Sequence, residues 1–183
     1  MNKATQYSNK LKNLILYVLS NENYREEGIK KLNKILYFID FYFYREKEHF
    51  ISGNTSYAKA DMGPVIDNYR TIFGQLVTDK VLCKDNSCGP IVHKPIENFD
   101  PSAFSSEEII HINNILDRFG KLSSSELELI SHQQQPWVLT KDFGDIIDPD
   151  LALLIDDGEV EESEILNDDL KNEVIGLANE YDK

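Results

Sequence analysis

The sequence predicts a mainly α fold: a compact helical domain of about six helices with a small β-hairpin. Three observations predict it. Apolar residues recur at three- and four-residue steps over most of the chain, two Ser-x-x-Glu signatures mark helix starts, and one turn-rich stretch lies between two short β-prone runs.

Between Thr5 and Ser20, Leu11, Leu14, Ile15, Val18 and Leu19 share a helical face opposite Lys10, Lys12 and Asn13, and the polar break Asn21 to Asn23 closes this first helix. Ile29, Leu32, Ile35, Leu36, Ile39 and Phe43 carry the spacing on through Lys47, while Tyr37, Phe38, Phe41 and Tyr42 widen the stripe almost all round. A helix that is apolar on nearly every side belongs in the core, so the second helix is expected to be central and mostly structural. Gly53 and Asn54 end that region, Thr55 to Ala60 reads as a short extended stretch, and Gly63-Pro64 marks a turn. Because Gly63 precedes Pro64 in this turn, Gly63→Val is expected to cost roughly 1 to 3 kcal/mol.

Val65, Ile66, Tyr69, Ile72 and Phe73 recur at helical spacing after Pro64, which predicts a third helix opening at the proline. Val81 to Lys84 and Ile91 to Ile96 flank the turn-rich Asp85 to Pro90 and predict a hairpin, which must lean on the helices because a two-stranded ribbon alone is marginal. Ser105 with Glu108 reads as the capping box of a fourth helix that stops at Gly120. Ser123 or Ser124 caps a fifth helix carrying Leu127, Leu129 and Ile130, which ends near Pro136, directly before Trp137.

From Asp142 to Asp169 the charged residues are all acidic, and no Lys or Arg appears until Lys171. This change of character divides the chain into a helical domain over 1–147 and an acidic extension over 148–183. Within the extension, Ile165, Leu170, Val174, Ile175 and Leu177 form an amphipathic segment that reads as a closing helix or a partner-docking helix.

At 183 residues and 41% hydrophobic, the chain is large enough to fold without staples, burying about two-thirds of its unfolded surface. The apolar run Ile35 to Tyr44 is broken by Asp40 and followed by Arg45, too short for the roughly 20 residues of a membrane span. Polar residues recur from Asn2 to Asn13, unlike a secretion signal, so a cytoplasmic location is expected. The net charge of −13 argues against nucleic acid and favours a basic protein partner. Charge is uneven: Met1 to Lys47 holds nine basic residues against five acidic ones. That basic end, with helices preceding a hairpin, leaves a winged-helix-like nucleic-acid regulator as the alternative reading.

Phosphate-cradle, dinucleotide, zincin and nucleophile-elbow motifs are absent from the sequence. Cys83, Cys88 and His93, with four residues between each, form a candidate soft-metal set; the rival reading is a hairpin turn carrying thiols, and no metal or cofactor is expected. His132 near Trp137 is either a general base or a helix-end histidine that bonds free carbonyls.

Three segments, in this order and spacing, are similar to those of one family. Lys31-Leu32-Asn33-Lys34-Ile35-Leu36-Tyr37-Phe38-Ile39-Asp40-Phe41 resembles the Lys-Leu-x-Lys-Leu-Leu-Tyr-x-x-Asp helix of the Panacea domain, found in bacterial antitoxins and SocA-like proteolytic adaptors. Ile51-Ser52-Gly53 and Gly63-Pro64-Val65, followed by Asp67-Asn68-Tyr69, resemble its second segment, with Met62 in place of the usual aromatic. Leu122-Ser123-Ser124-Ser125-Glu126-Leu127 leading to Ser131-His132 and Trp137 resembles its ending, with Gln134 where Glu is common. The resemblance implies a non-enzymatic protein that binds a cognate toxin directly, masking it or presenting it to a protease. The expected partner-binding residues are Tyr44, Tyr57, Asp61, Met62, Gly63, Pro64, His132 and Trp137, with Leu32, Ile35 and Leu36 only holding them in place.

Overall fold

The computed structural model describes residues 7–86 and 91–156. Over them the chain runs α1 (Asn9–Ser20), α2 (Ile29–Lys47), β1 (Tyr57–Ala58), β2 (Val65–Ile66), α3 (Tyr69–Thr78), β3 (Leu82–Asp85), β4 (Val92–Pro95), α4 (Ser106–Phe119), α5 (Ser124–Gln133) and α6 (Gln135–Leu139). Short 3-10 helices occupy Pro101–Ala103 and Pro149–Leu154. The architecture is mainly helical with two small antiparallel strand pairs, β1 with β2 and β3 with β4.

Local chemistry sets the helix starts. Ser8 caps α1 by accepting a hydrogen bond from the Leu11 N–H, and both capping boxes form, Ser105 with Glu108 on α4 and Ser123 with Glu126 on α5. Each cap satisfies backbone donors that a helix start leaves unpaired.

Helix α2 is the hub, with every residue from Lys31 to Phe43 buried. It packs against α4, α5, β2 and the Pro149–Leu154 turn. Phe38 stacks on Phe119 of α4 at 4.7 Å between ring centroids, and Tyr37, Phe41, Phe50 and Tyr57 form a second aromatic cluster.

Four polar residues of α2, Lys31, Asn33, Lys34 and Asp40, are buried too, and each fastens another segment. Lys31 Nζ donates to the Gly120 carbonyl at 2.9 Å, at the electronegative end of α4, and lies 5.2 Å from the Tyr24 ring centroid. Asn33 Oδ1 accepts the Ile66 N–H at 2.9 Å, which ties β2 to the helix. Lys34 approaches Glu128 of α5 at 3.8 Å. Asp40 accepts the Ser52 N–H at 3.0 Å, the Tyr57 hydroxyl at 2.7 Å and the Ser52 hydroxyl. Buried polar groups are tolerated only when partnered, so these side chains fix where the other elements dock.

Two expectations are corrected. The third helix opens at Tyr69, not at Pro64, because Val65–Ile66 is extended and pairs with Tyr57–Ala58, and Asn68 turns the chain through a positive φ of 57° before the helix begins. Trp137 belongs to a helix of its own, α6. The expected closing helix from Ile165 to Leu177, Cys88 and most of the acidic run lie outside the described residues. Packing against the body continues past Ile147: Ala152 and Ile155 are buried, and Arg45 donates to the Ile155 carbonyl.

Candidate functional site

The turn Ala60 to Pro64 lies against the junction of α5 and α6. Pro136 sits in the first turn of α6 and its ring cannot continue α5, so Gln134 is extended at φ −77° and ψ 138°. The chain thereby folds back and Trp137 stacks on His132, at 4.0 Å between centroids and 21° between planes. Trp137 Nε1 donates to the Ala60 carbonyl at 3.3 Å, and the Gly63 N–H donates to the same carbonyl at 3.0 Å. Gly63 adopts φ +99°, and a Cβ there would meet Ser131 Oγ at 2.8 Å and Lys34 Cε at 2.9 Å. Glycine is therefore required twice over, by backbone conformation and by space.

Two lysines run beneath this surface. Lys59, almost wholly buried, donates to the Thr140 carbonyl at 2.7 Å while its ammonium lies 4.3 Å from the Trp137 ring centroid and 5.8 Å from that of Phe143. Burial pushes the Lys34 ammonium down to about 8, against the pull of Glu128 and with Lys30 adding to the fall. His132 is held below its ordinary value, first by burial; Glu128 and Asp61 oppose the shift, and Lys34 and Lys59 reinforce it. Its Nε2 is buried with no hydrogen-bond partner among the described residues.

A histidine whose folded pKa lies below its unfolded value of about 6.5 binds fewer protons folded than unfolded, so its contribution to stability is lost as pH falls below about 6.5. His93 and His111 are displaced in the same direction, again chiefly by burial. His132→Phe keeps an aromatic ring on Trp137 and removes one titration. Thermal melts at pH 7.5 and 5.5 should show a smaller acid-induced fall in Tm for the variant than for the parent, and equal falls would mean that His132 is not held neutral.

The family model described as Antitoxin SocA-like, Panacea domain matches residues 32–138, more than half of the chain. The chain belongs to the SocA-like Panacea domain family. No curated protein and no solved structure matches it. The matched span of the Panacea domain opens within the buried face of α2 and ends one residue past Trp137, so it encloses Asn33, Lys34 and Asp40 of the four polar fasteners of α2, with Lys31 one residue ahead of it, and the His132–Trp137 stack.

The Panacea fold brings Asp61, Met62, Gly63, His132 and Trp137 together, along with Lys34, Lys59 and Glu128, which sequence reasoning did not single out as site residues. Lys34 stood in the quoted motif, but nothing in the spacing links Lys59 to a tryptophan so much later in the chain. Asp61 and Met62 are exposed, His132 and Trp137 half-buried, and Gly63 and Pro64 buried. Tyr57 is corrected outright as a surface residue: it is 1% exposed and its hydroxyl is donated to Asp40. Tyr44 is half-buried and donates its hydroxyl to Asp150 at 2.6 Å, a bond that pushes its pKa up to about 12. Among the described residues no group of His, Cys, Asp and Glu is placed to hold a metal ion; His93 is buried beside Phe73, and Cys83 pairs across the hairpin with Lys94. No helix of the described residues is long and apolar enough to cross a membrane.

Proposed function

We propose that this Panacea domain is the antitoxin of a toxin–antitoxin pair and that it neutralises its cognate toxin by direct binding at the face carrying Asp61, Met62, His132 and Trp137. The observation that carries the reading is the Asp61-Met62 tip, an exposed carboxylate and a 42% exposed thioether side chain on a turn fastened from behind by Gly63, Lys34 and Trp137. A preorganised tip loses little entropy on docking, and polarizable Met beside an aromatic stack suits an apolar anchor. Tyr57, Gly63 and Pro64 serve this role by holding the tip, and Tyr44 is proposed as an outlying contact through its ring edge. A basic partner fits the net charge of −13, which also opposes duplex DNA.

The test is co-expression with the product of the adjacent reading frame. That product alone should arrest growth, and the pair should grow. Asp61→Lys combined with Met62→Asp should raise the dissociation constant by about tenfold to a hundredfold, as loss of a central anchor does. A neighbouring product that is harmless alone, or rescue untouched by both substitutions, sinks the reading. The toxin's half-life in rescued cells separates masking, which leaves it long, from delivery to a protease, which shortens it.

A further inference from the structure

Beside the Asp61-Met62 tip lies a second surface that the tip does not explain. Val138 and Leu139 of α6, Phe143 and Ile146 of the following segment, and Leu153 and Leu154 of the 3-10 helix are each between 48% and 63% exposed. They come from three consecutive pieces of chain that pack on one another: α6 lies on the Pro149–Leu154 helix, and the Phe143 ring is 6.4 Å from that of Trp137. Exposure here is not a loose end. The Lys59 N–H donates to the Asp145 carbonyl at 2.9 Å, the Gly144 N–H to the Lys59 carbonyl at 2.8 Å and the Ile147 N–H to the Tyr57 carbonyl at 2.8 Å, so this segment is laid along β1 as an added edge. Six large apolar side chains held outward on an ordered scaffold mark an interaction surface.

The charges around it say what kind of partner fits. Asp142, Asp145, Asp148 and Asp150 are interleaved with these apolar residues, all exposed, and none forms an ion pair among the described residues. Their carboxylates accept only neutral donors: the Asp142 N–H for Asp145, the Asp150 N–H for Asp148 and the Tyr44 hydroxyl for Asp150. Lys141 is the single basic residue between Val138 and Asp156. An apolar centre with an uncompensated acidic rim is complementary to apolar anchors flanked by Lys and Arg.

We infer that the surface of α6, Phe143-Ile146 and the Pro149–Leu154 helix docks a basic amphipathic segment of the protein partner. This rests on the antitoxin reading only for the identity of the partner; the chemistry of the segment follows from the surface.

The experiment is a titration of the full chain with an 18-residue Leu/Lys amphipathic peptide, followed by the emission of Trp137, the single tryptophan, with a Leu/Glu peptide of the same pattern as control. Binding of the Leu/Lys peptide should be at least tenfold tighter than that of the Leu/Glu peptide and should weaken severalfold between 50 and 300 mM salt, roughly as screening of a few charges requires. Phe143→Ser with Leu153→Ser should weaken it by about tenfold, as loss of apolar anchors does. Both positions are exposed, so Tm should hold. Asp145→Asn with Asp148→Asn, which keeps the cap at Asp148, should remove most of the salt dependence. Equal binding of the two peptides, or indifference to Phe143→Ser with Leu153→Ser, overturns the inference. So does a full chain that sediments as a dimer and becomes monomeric in that double variant, since a second copy would then cover the surface. No toxin enters this titration, so a harmless neighbouring gene product would sink the proposed function alone, and a failed titration this inference alone.

Discussion

Asp40→Ala is expected to destabilise the protein by about 3–5 kcal/mol, the largest effect of any single polar substitution in α2. Asp40 is fully buried and is the common acceptor for the Ser52 N–H, the Ser52 hydroxyl and the Tyr57 hydroxyl. Alanine would leave these buried donors without a partner, at about 1–3 kcal/mol for each group that finds no substitute. It would also unfasten the Ile51-Ser52-Gly53 loop and the aromatic cluster around Tyr57. The charge itself works the other way. Burial raises the Asp40 carboxyl to about 6 from an ordinary 3.8, with the hydrogen bonds from Ser52 and Tyr57 opposing the shift.

The folded state therefore binds this proton more tightly than the unfolded one. Its contribution to stability is fully present below about 3.8 and is lost as pH rises through about 6, the sense opposite to that of the buried histidines. Asp40→Asn, which keeps an acceptor and removes the titration, should cost less than Asp40→Ala and should steepen the net loss of stability between pH 6 and 4. Denaturant unfolding at pH 4 and pH 6 measures both effects. A loss for Asp40→Ala below 1 kcal/mol would show that the loop is held by packing alone.

Gly63→Val is expected to cost about 3–5 kcal/mol, because a strained positive φ worth about 1–3 kcal/mol is joined by overpacking of similar size. The two atoms that a Cβ would strike are not free to leave: Ser131 is fully buried and its hydroxyl donates to the Glu128 carbonyl at 2.9 Å, while Lys34 is 1% exposed. The substitution should also displace the Asp61-Met62 tip and so weaken toxin binding beyond what lower stability explains. Gly63→Ala should fall between glycine and valine in both measurements. An unchanged Tm for Gly63→Val would mean that the turn relaxes away from Ser131 and Lys34, and the proposed rigidity of the tip would go with it.

The helical plan was legible because its determinants are local. Helix α2 spans the Ile29 to Lys47 that its apolar spacing predicts, and Ser105 and Ser123 cap the helices that their glutamates announce, since both signals act within one or two turns. The start of α3 was not legible. Val65 and Ile66 fit a helical period as well as a strand, and what decides between them is pairing with Tyr57–Ala58 together with the bond from Ile66 N–H to Asn33 on α2.

The site was half legible. Asp61, Met62, His132 and Trp137 could be nominated from motif resemblance, but nothing near Lys59 in sequence announces the tryptophan beneath which it lies. Tyr57 was misplaced at the surface for a related reason. A tyrosine beside polar residues in an extended stretch reads as a rim residue until the buried Asp40 that takes its hydroxyl is known.

The sequence by itself determined the helical class, the central position of α2, the caps and the family resemblance that the Panacea match now establishes, because each is written in neighbouring residues or in short ordered motifs. Only the tertiary structure decided that Lys31, Asn33, Lys34 and Asp40 are buried fasteners, that Gly63 is wedged against Ser131, and that six apolar side chains stand outward among carboxylates. Those facts depend on which distant segments meet, and burial, charge pairing and close approach have no value until they do.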